Sequence, residues 1–375
     1  MMLWSSTRHH ASRSVSVVMA VAVAAWAVDF AQQLPRHQAL ELEKPRTTKG
    51  KYPKCNWVGQ GLTGPVLSKP MNIRFLYKQW GSAGATSMRG RQIARILDTH
   101  PNVTVNLLRV RDCRSYCRSS PDKGLTHVIY VKYPCPSCTR HRGIFRALDV
   151  VDNIGFLRNS PGSLPPGFSR PGSYSSLIVN TQAMAADAKK LMRQRATVIE
   201  HQHNNFCNIT AAVRTEATEA SPFKVYFIGG RAGSLSPVFR ALEEKLSPKF
   251  PNIRIEALQI SGSTLGEDFQ RLATGDIAVV WDQCKGTRFN PTDCRSYKPN
   301  TRAAAAMSVG LPVILYGKYS GHQELVRDLN VGPELAASLL PHTATKLAKS
   351  IKVLLQNADF RRELAARGKQ ISERY

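Results

Sequence analysis

A short apolar run, a glycine-rich turn, an amphipathic stretch and a second apolar run follow one another twice in this chain, and that order restricts its fold most. The first copy reads Ile73-Arg-Phe-Leu-Tyr77, then Gly81 to Ser87, then Met88 to His100 with Ile93, Ile96 and Leu97 on one helical face, then Val103 to Val110. The second reads Lys224-Val-Tyr-Phe-Ile228, Gly229 to Gly233, Ser236 to Leu246 and Ile253 to Leu258. Strand, turn, helix, strand is the unit of a parallel sheet, because parallel neighbours need a crossover that a helix supplies.

Each copy continues in kind. After the first come strands over His127–Val131, Ala147–Asp152, Ser176–Val179 and Ala196–Ile199, with a Pro/Gly/Ser loop between Asn159 and Ser175. After the second come a short helix over Phe269–Ala273, a strand over Ile277–Trp281, a helix over Thr301–Val309 and a strand over Leu311–Leu315. Helices over Glu334–Leu340 and Thr345–Tyr375 close the chain. Near-continuous Val/Ile runs mark strands buried on both faces, so doubly wound sheets are expected and a sandwich is excluded. The fold class is α/β with two Rossmann-like doubly wound domains, over residues 71–215 and 222–375.

Composition agrees. At about 150 residues per domain, 375 residues allow two domains and extra sequence. Hydrophobic residues at 42% and charged ones at 21% exclude wholesale disorder and fibrous repeats. The net charge of +26 favours an anionic partner or surface, and residues 1–150 concentrate it with 23 basic against 7 acidic side chains. No run of five or six Lys/Arg occurs, so no nucleic-acid partner is expected, and composition bias of the source accounts for the charge equally well.

The start of the chain reads as an address. Arg8, His9, His10 and Arg13 precede an apolar run from Ser14 to Val28, with Ala25-Trp-Ala27 as a cleavage site. Residues 1–31 read as a signal peptide or a signal-anchor, and residues 32–70 as a stem. The expected location is the secretory pathway, on the Golgi or ER membrane with a lumenal body; a secreted or plastid protein is the alternative. The membrane is a partner through this segment if it is not cleaved. Eight cysteines (Cys55, Cys113, Cys117, Cys135, Cys138, Cys207, Cys284 and Cys294) suit an oxidising lumen, with Cys284 and Cys294 the best local pair and a zinc reading of the Cys113 to Cys138 group left open. Asn102-Val-Thr104 and Asn208-Ile-Thr210 are sequons for N-linked glycosylation.

The second half carries a resemblance. Asp276-Ile-Ala-Val-Val-Trp281, Lys298-Pro-Asn-Thr-Arg302 running on to Gly310-Leu-Pro-Val-Ile314, Gly321-His-Gln-Glu324-Leu-Val326 and the closing stretch from Leu354 to Tyr375 stand in that order. Together they resemble the donor-binding domain of GT-B fold glycosyltransferases of the family 1 and family 4 kind. The resemblance covers about residues 224–375 and implies an acceptor-side role for the first domain, with Gly81, Ser82, Gly84 and Arg89 similar to that side's first loop. It implies transfer of a sugar from a nucleotide-sugar, UDP- or GDP-linked, to an acceptor hydroxyl on a glycan, glycoprotein or lipid. The nucleotide-sugar is a co-substrate, the acceptor glycan one that anionic groups would suit, and no permanent cofactor or metal is implied.

Chemistry assigns roles within that frame. A diphosphate needs backbone N–H groups at a helix start and one or two cations, and Arg302 opens a predicted helix with Lys298 just before it. Gly229, Gly230 and Arg231 follow the first strand of their domain, where a phosphate can approach. Glu324 can accept hydrogen bonds from sugar or ribose hydroxyls. His201 and His203, in the polar run after the last strand of the first domain, suit acid–base work on the acceptor; a metal site and a plain polar loop are the other readings. One family feature is missing: the paired glutamates of retaining members fall on Tyr297 and Ala305. A catalytically inactive glycan- or polyanion-binding protein of the same fold, or a nucleotide-sugar epimerase, therefore stand as alternatives.

Overall fold

The structure is a computed structural model of the chain that describes residues 69–77, 89–90, 93–98, 100–109, 124–131, 143–150, 174–192, 194–199, 209–229, 232–258, 265–281 and 300–372. The N-terminal apolar run, the stem up to residue 68 and all eight cysteines lie outside them. The chain divides into two compact units, the described part of the first ending at Ile199 and that of the second beginning at Ile209.

In the first unit, six strands form one parallel sheet: β1 (Met71–Tyr77), β2 (Val103–Arg109), β3 (His127–Val131), β4 (Phe145–Asp149), β5 (Ser176–Val179) and β6 (Ala196–Val198). Their order is β2-β1-β3-β4-β5-β6, so the winding reverses between β1 and β3. Helix α1 (Ile93–Asp98) connects β1 to β2 and sets Ala94 and Leu97 against Ile73 and Phe75. Helix α2 (Gln182–Met192) connects β5 to β6.

No helix was expected at α2, since its alanines and lysines show little apolar contrast. It forms because Thr181 accepts a hydrogen bond from the Met184 amide at 3.1 Å and so satisfies an otherwise orphaned first-turn donor. Met184 and Ala188, four apart, are fully buried by the result.

The second unit winds four parallel strands in the order β10-β9-β7-β8, from β7 (Phe223–Ile228), β8 (Ile253–Leu258), β9 (Ile277–Val280) and β10 (Val313–Leu315). Helix α3 (Ala232–Leu246) connects β7 to β8, α4 (Leu265–Ala273) connects β8 to β9, and α5 (Thr301–Ser308) precedes β10. After β10 come α6 (Ser320–Asp328), α7 (Pro333–Leu339), α8 (Ala344–Gln356) and α9 (Ala358–Ser372). All four β9 residues are buried, as the central position of an unalternating apolar run requires. Burying each of its Ile and Val side chains stabilises the fold by about 1.5–3 kcal/mol relative to leaving it in water.

Where the sequence reading has one long closing helix, the structure has two. Asn357 leaves helical geometry (φ −129°, ψ 94°), and its Oδ1 accepts a hydrogen bond from the Phe360 amide at 2.9 Å, which starts α9 afresh. The break turns α9 back onto α5. Contact there is close: a Cβ added at Gly368 would stand 3.1 Å from Cγ of Met307, so a larger residue there requires Met307 to shift by a few tenths of an ångström.

The amino ends of β7 and β9 are tied by charge. Arg214 binds both carboxylate oxygens of Asp276, and the same carboxylate accepts from the Lys224 amide at 2.8 Å. Arg361 of α9, wholly buried, donates to the Leu354 and Leu355 carbonyls that end α8 and to the Arg214 carbonyl, with its guanidinium 5.2 Å from the Phe223 ring centre. Burial holds its pKa below the ordinary arginine value, and Arg214 and Arg362 lower it further while Asp276 opposes them. Structural charges thus gather at the amino edge of this sheet.

Candidate functional site

In an open parallel sheet the crevice for a ligand lies at the carboxyl ends of the strands, where the winding reverses. In the second unit that place is between β7 and β9, which end at Ile228 and Val280. Gly229 follows β7 with φ +73°, a conformation that costs L-residues with a Cβ about 1–2 kcal/mol. Its amide donates to the Leu258 carbonyl at 3.0 Å and ties the turn to the end of β8.

Arg302 comes from the first turn of α5, and its guanidinium lies against the α-carbon of Gly229. A Cβ at position 229 would fall on Cζ, Nε and Nη1 of that arginine. Two residues that the sequence reading proposed separately for a phosphate site are therefore brought together at the switch point. The glycine has two reasons to be a glycine: its backbone angle and the space its missing side chain leaves for a cation.

Two helix starts flank this point. Asn300 precedes α5 and its Nδ2 donates to the Gly321 carbonyl in the first turn of α6 at 2.9 Å, which joins the two N-termini. Because the partner is a carbonyl, that atom must be the amide nitrogen, and Oδ1 is the free end of the side chain. Neither helix start has a side-chain cap. Asn300 Oδ1, Thr301 Oγ1 and Ser320 Oγ are buried and have no hydrogen-bond partner. Buried polar atoms are nearly always satisfied, so these three, at two joined helix starts, would take a water or the polar atoms of a ligand as partners. Both helix dipoles favour an anion there.

Behind these starts stands an aromatic wall. The ring centres of Trp281 and Tyr316 are 4.8 Å apart, those of Tyr316 and Tyr319 5.1 Å, and those of Tyr319 and His322 5.1 Å, all at steep mutual angles and all buried. His322 Nδ1 lies 3.0 Å from the Tyr316 carbonyl, so that nitrogen carries the proton. Glu324 stands half-buried two residues further along α6. Ala305, at one of the places where the resemblance has a glutamate, is packed in the core of the unit. Gly310, with φ +78°, makes the tight turn that leads α5 into β10.

Of the other expected site residues, His201, His203, Gly230, Arg231, Lys298, Gly81, Ser82 and Gly84 lie outside the described residues, as do Tyr297 and Asn208. Arg89 is described, and it is buried in the first unit. Its Nε and Nη2 bind the two oxygens of Asp149 at 2.9 Å each, and Nη1 donates to the Ile199 carbonyl at 2.7 Å. The guanidinium thereby links the ends of β4 and β6. It borders a cavity of about 50 Å³ on one face of the sheet, lined mainly by apolar side chains such as Ile73, Phe145 and Ile178, with His127 at its edge. Burial lowers the His127 pKa to about 4, and its ring packs 5.2 Å from that of Phe145.

Asn300, Thr301 and Ser320 were not singled out from the sequence. Asn300 and Thr301 sit inside the stretch from Lys298 to Arg302, so their neighbourhood was visible; that their oxygens would be left unsatisfied was not. Among the described residues no group of three or more His, Cys, Asp or Glu side chains is placed to hold a metal ion. No helix among them is long and apolar enough to cross a membrane.

No protein-family model matches the chain, and no curated protein sequence matches it. Among solved structures it is similar to Anabaena HepE in complex with UDP-glucose, at 13% identity and TM-score 0.49, over 80% of this chain and 94% of that one. It is similar to an O-GlcNAc transferase variant of Thermobaculum terrenum, at 11% identity and TM-score 0.48, over 81% of this chain and 64% of that one. Glycosyltransferases are thus among the proteins it resembles in structure. It is also similar to the N-terminal domain of a Candida albicans trehalose-6-phosphate phosphatase, at 9% identity and TM-score 0.46, over 84% and 96%. The chain spans under two-thirds of the length of the transferase it matches. At such identity and overlap these likenesses carry neither substrate nor activity across.

Proposed function

We propose that the second unit binds a nucleoside-diphosphate sugar and that the protein is a GT-B glycosyltransferase, passing the sugar to an acceptor hydroxyl on a glycan, glycoprotein or lipid. The observation that carries the reading is the meeting of Arg302 with Gly229 at the switch point of the second sheet. A fixed positive charge beside bare backbone suits a diphosphate, which carries negative charge and approaches main chain closely.

In this reading Arg302 and the first amides of α5 and α6 face the phosphates. Thr301 and Ser320 donate their hydroxyl protons to phosphate oxygens, and Asn300 Oδ1 accepts from a hydroxyl of the sugar or ribose, a task Glu324 shares. In transfer, the bond from the sugar's anomeric carbon to the phosphate oxygen breaks, and the acceptor oxygen bonds to that carbon. The acceptor proton passes to a base, for which His201 and His203 remain the proposed groups. Charge grows on the departing diphosphate, so the cation and helix starts stabilise the transition state more than the ground state.

A second reading is favoured by one observation. Ala305 is sealed in the core where retaining relatives have a carboxylate, so a silent glycan- or polyanion-binding protein would keep the fold and the +26 charge without turnover. Titration calorimetry with UDP, GDP and their sugars, followed by a turnover assay on the nucleotides that bind, separates the two. Nucleotide binding with nucleoside diphosphate release supports the transferase. Salt-sensitive glycan binding without nucleotide binding supports the alternative. The secretory location is part of the proposal and is supported by the basic start and the apolar run from Ser14 to Val28.

A further inference from the structure

The edge of the first sheet holds a feature that nucleotide chemistry does not use. Among the described residues β2 is the outermost strand at its end of the order and pairs through its whole length with β1, while on its outer side the Val103 amide donates to the His100 carbonyl and the Val105 amide to Asp98 Oδ1, each at 3.0 Å. Along it Thr104 and Asn106 are exposed, and Leu107 is 38% exposed, one of the largest exposed apolar side chains among the described residues. An exposed edge carrying an apolar side chain is a template for pairing with another chain, and proteins blunt such edges.

At the amino end of this strand stands Asn102-Val103-Thr104. Asn102 lies in the turn between α1 and β2, with its carbonyl accepting from the Met71 amide at 2.8 Å and its amide donating to His100 Nδ1 at 3.3 Å. Its backbone is therefore fixed, and the residue as a whole is half-buried. Val103 is buried, and Thr104, two residues on, faces out. The sequon thus sets a half-buried asparagine and an exposed threonine on either side of an inward residue. Its position at the amino edge of the sheet leaves the carboxyl edge, where ligands bind in such folds, unobstructed.

We infer that Asn102 is an N-glycosylation site whose oligosaccharide shields the outer side of β2 towards Leu107. The inference rests on the secretory part of the proposed function and is independent of its nucleotide chemistry. The co-reactant is a lipid-linked oligosaccharide diphosphate in the lumen. The bond from the sugar's anomeric carbon to the diphosphate breaks, Asn102 Nδ2 bonds to that carbon and loses a proton, and the lipid diphosphate leaves. Thr104 supplies the hydroxyl that the motif requires.

The test uses the full chain with its own N-terminus, made in a eukaryotic secretory host with an Asn-Gly-Thr reporter sequon appended after Tyr375. Peptide mass spectrometry after amidase release in heavy water reads each site. The expected result is an occupied Asn102, complete loss of that modification in Asn102→Gln and Thr104→Ala, retention in Thr104→Ser, and unchanged nucleotide affinity in Asn102→Gln. An occupied reporter with a bare Asn102 overturns the site itself. A bare reporter together with a bare Asn102 overturns the secretory reading, and the site with it. Nucleotide binding, measured on the same preparations, stands or falls separately.

Discussion

The Arg302 guanidinium occupies the space that a side chain at Gly229 would fill. One substitution therefore acts on both residues. Gly229→Ala meets a positive φ and an occupied position at once, and is expected to destabilise the second unit by about 1–2 kcal/mol and to weaken nucleotide binding at least tenfold. Arg302→Ala is expected to weaken nucleotide binding by about 10- to 100-fold, the effect of losing a charge-assisted contact. If the cation is what the glycine serves, adding Gly229→Ala to Arg302→Ala weakens binding far less than it does alone. A double-mutant cycle by calorimetry checks this, and full additivity would sink it.

Ser320 and Thr301 give a prediction of opposite sign for stability and binding. Their hydroxyls are buried without partners, so removing one relieves an unmet desolvation cost. Ser320→Ala should leave the unfolding midpoint unchanged or raise it, while nucleotide affinity falls several-fold. A fall in stability with affinity untouched would show that the hydroxyl serves the fold instead.

Arg361 should behave as a structural residue. Replacing it with methionine keeps much of its volume but strands the Leu354, Leu355 and Arg214 carbonyls. At about 1–3 kcal/mol for each buried group left unsatisfied, a loss of about 3 kcal/mol or more is expected, measured by urea denaturation. Any nucleotide-binding defect should track unfolding.

The first unit should lose stability in mild acid through His127. Its folded pKa is about 4 against 6.5 for the free side chain, so between these values the unfolded chain binds more protons. The contribution is present above pH 6.5 and is lost as pH falls from 6.5 to 4, amounting to about 2 kcal/mol once partial exposure is discounted. In His127→Phe, which can still pack on Phe145, the slope of stability against pH over that window should flatten. An unchanged slope would assign the acid sensitivity to another group.

Much of this architecture could be read from residues alone because parallel strands advertise themselves. Every strand expected has a counterpart, for a buried run such as Ile277-Ala-Val-Val280 leaves little other choice. What escaped depended on single side chains. α2 hangs on the Thr181 cap, the break between α8 and α9 on Asn357, and α6 shows in the sequence only as the stretch around Glu324. At the site, Gly229 and Arg302 were each nominated by local pattern, yet their contact is a product of winding, since β7 and α5 meet only once β9 has crossed to the far side of β7. Asn300, Thr301 and Ser320 carry no sequence signal of being unsatisfied, because that property belongs to the packed protein. Arg89, expected on the acceptor side, is engaged with Asp149 and Ile199, a partnership that no spacing announces.

The central claim is that the Gly229–Arg302 junction holds a nucleoside diphosphate. Calorimetric titration of the purified protein with UDP and GDP, beside the Arg302→Ala variant at matched thermal stability, tests it most directly. Saturable one-to-one binding of at least one of the two is expected, with a loss of about 10- to 100-fold in the variant. Binding of neither nucleotide, or equal binding by both proteins, would contradict it.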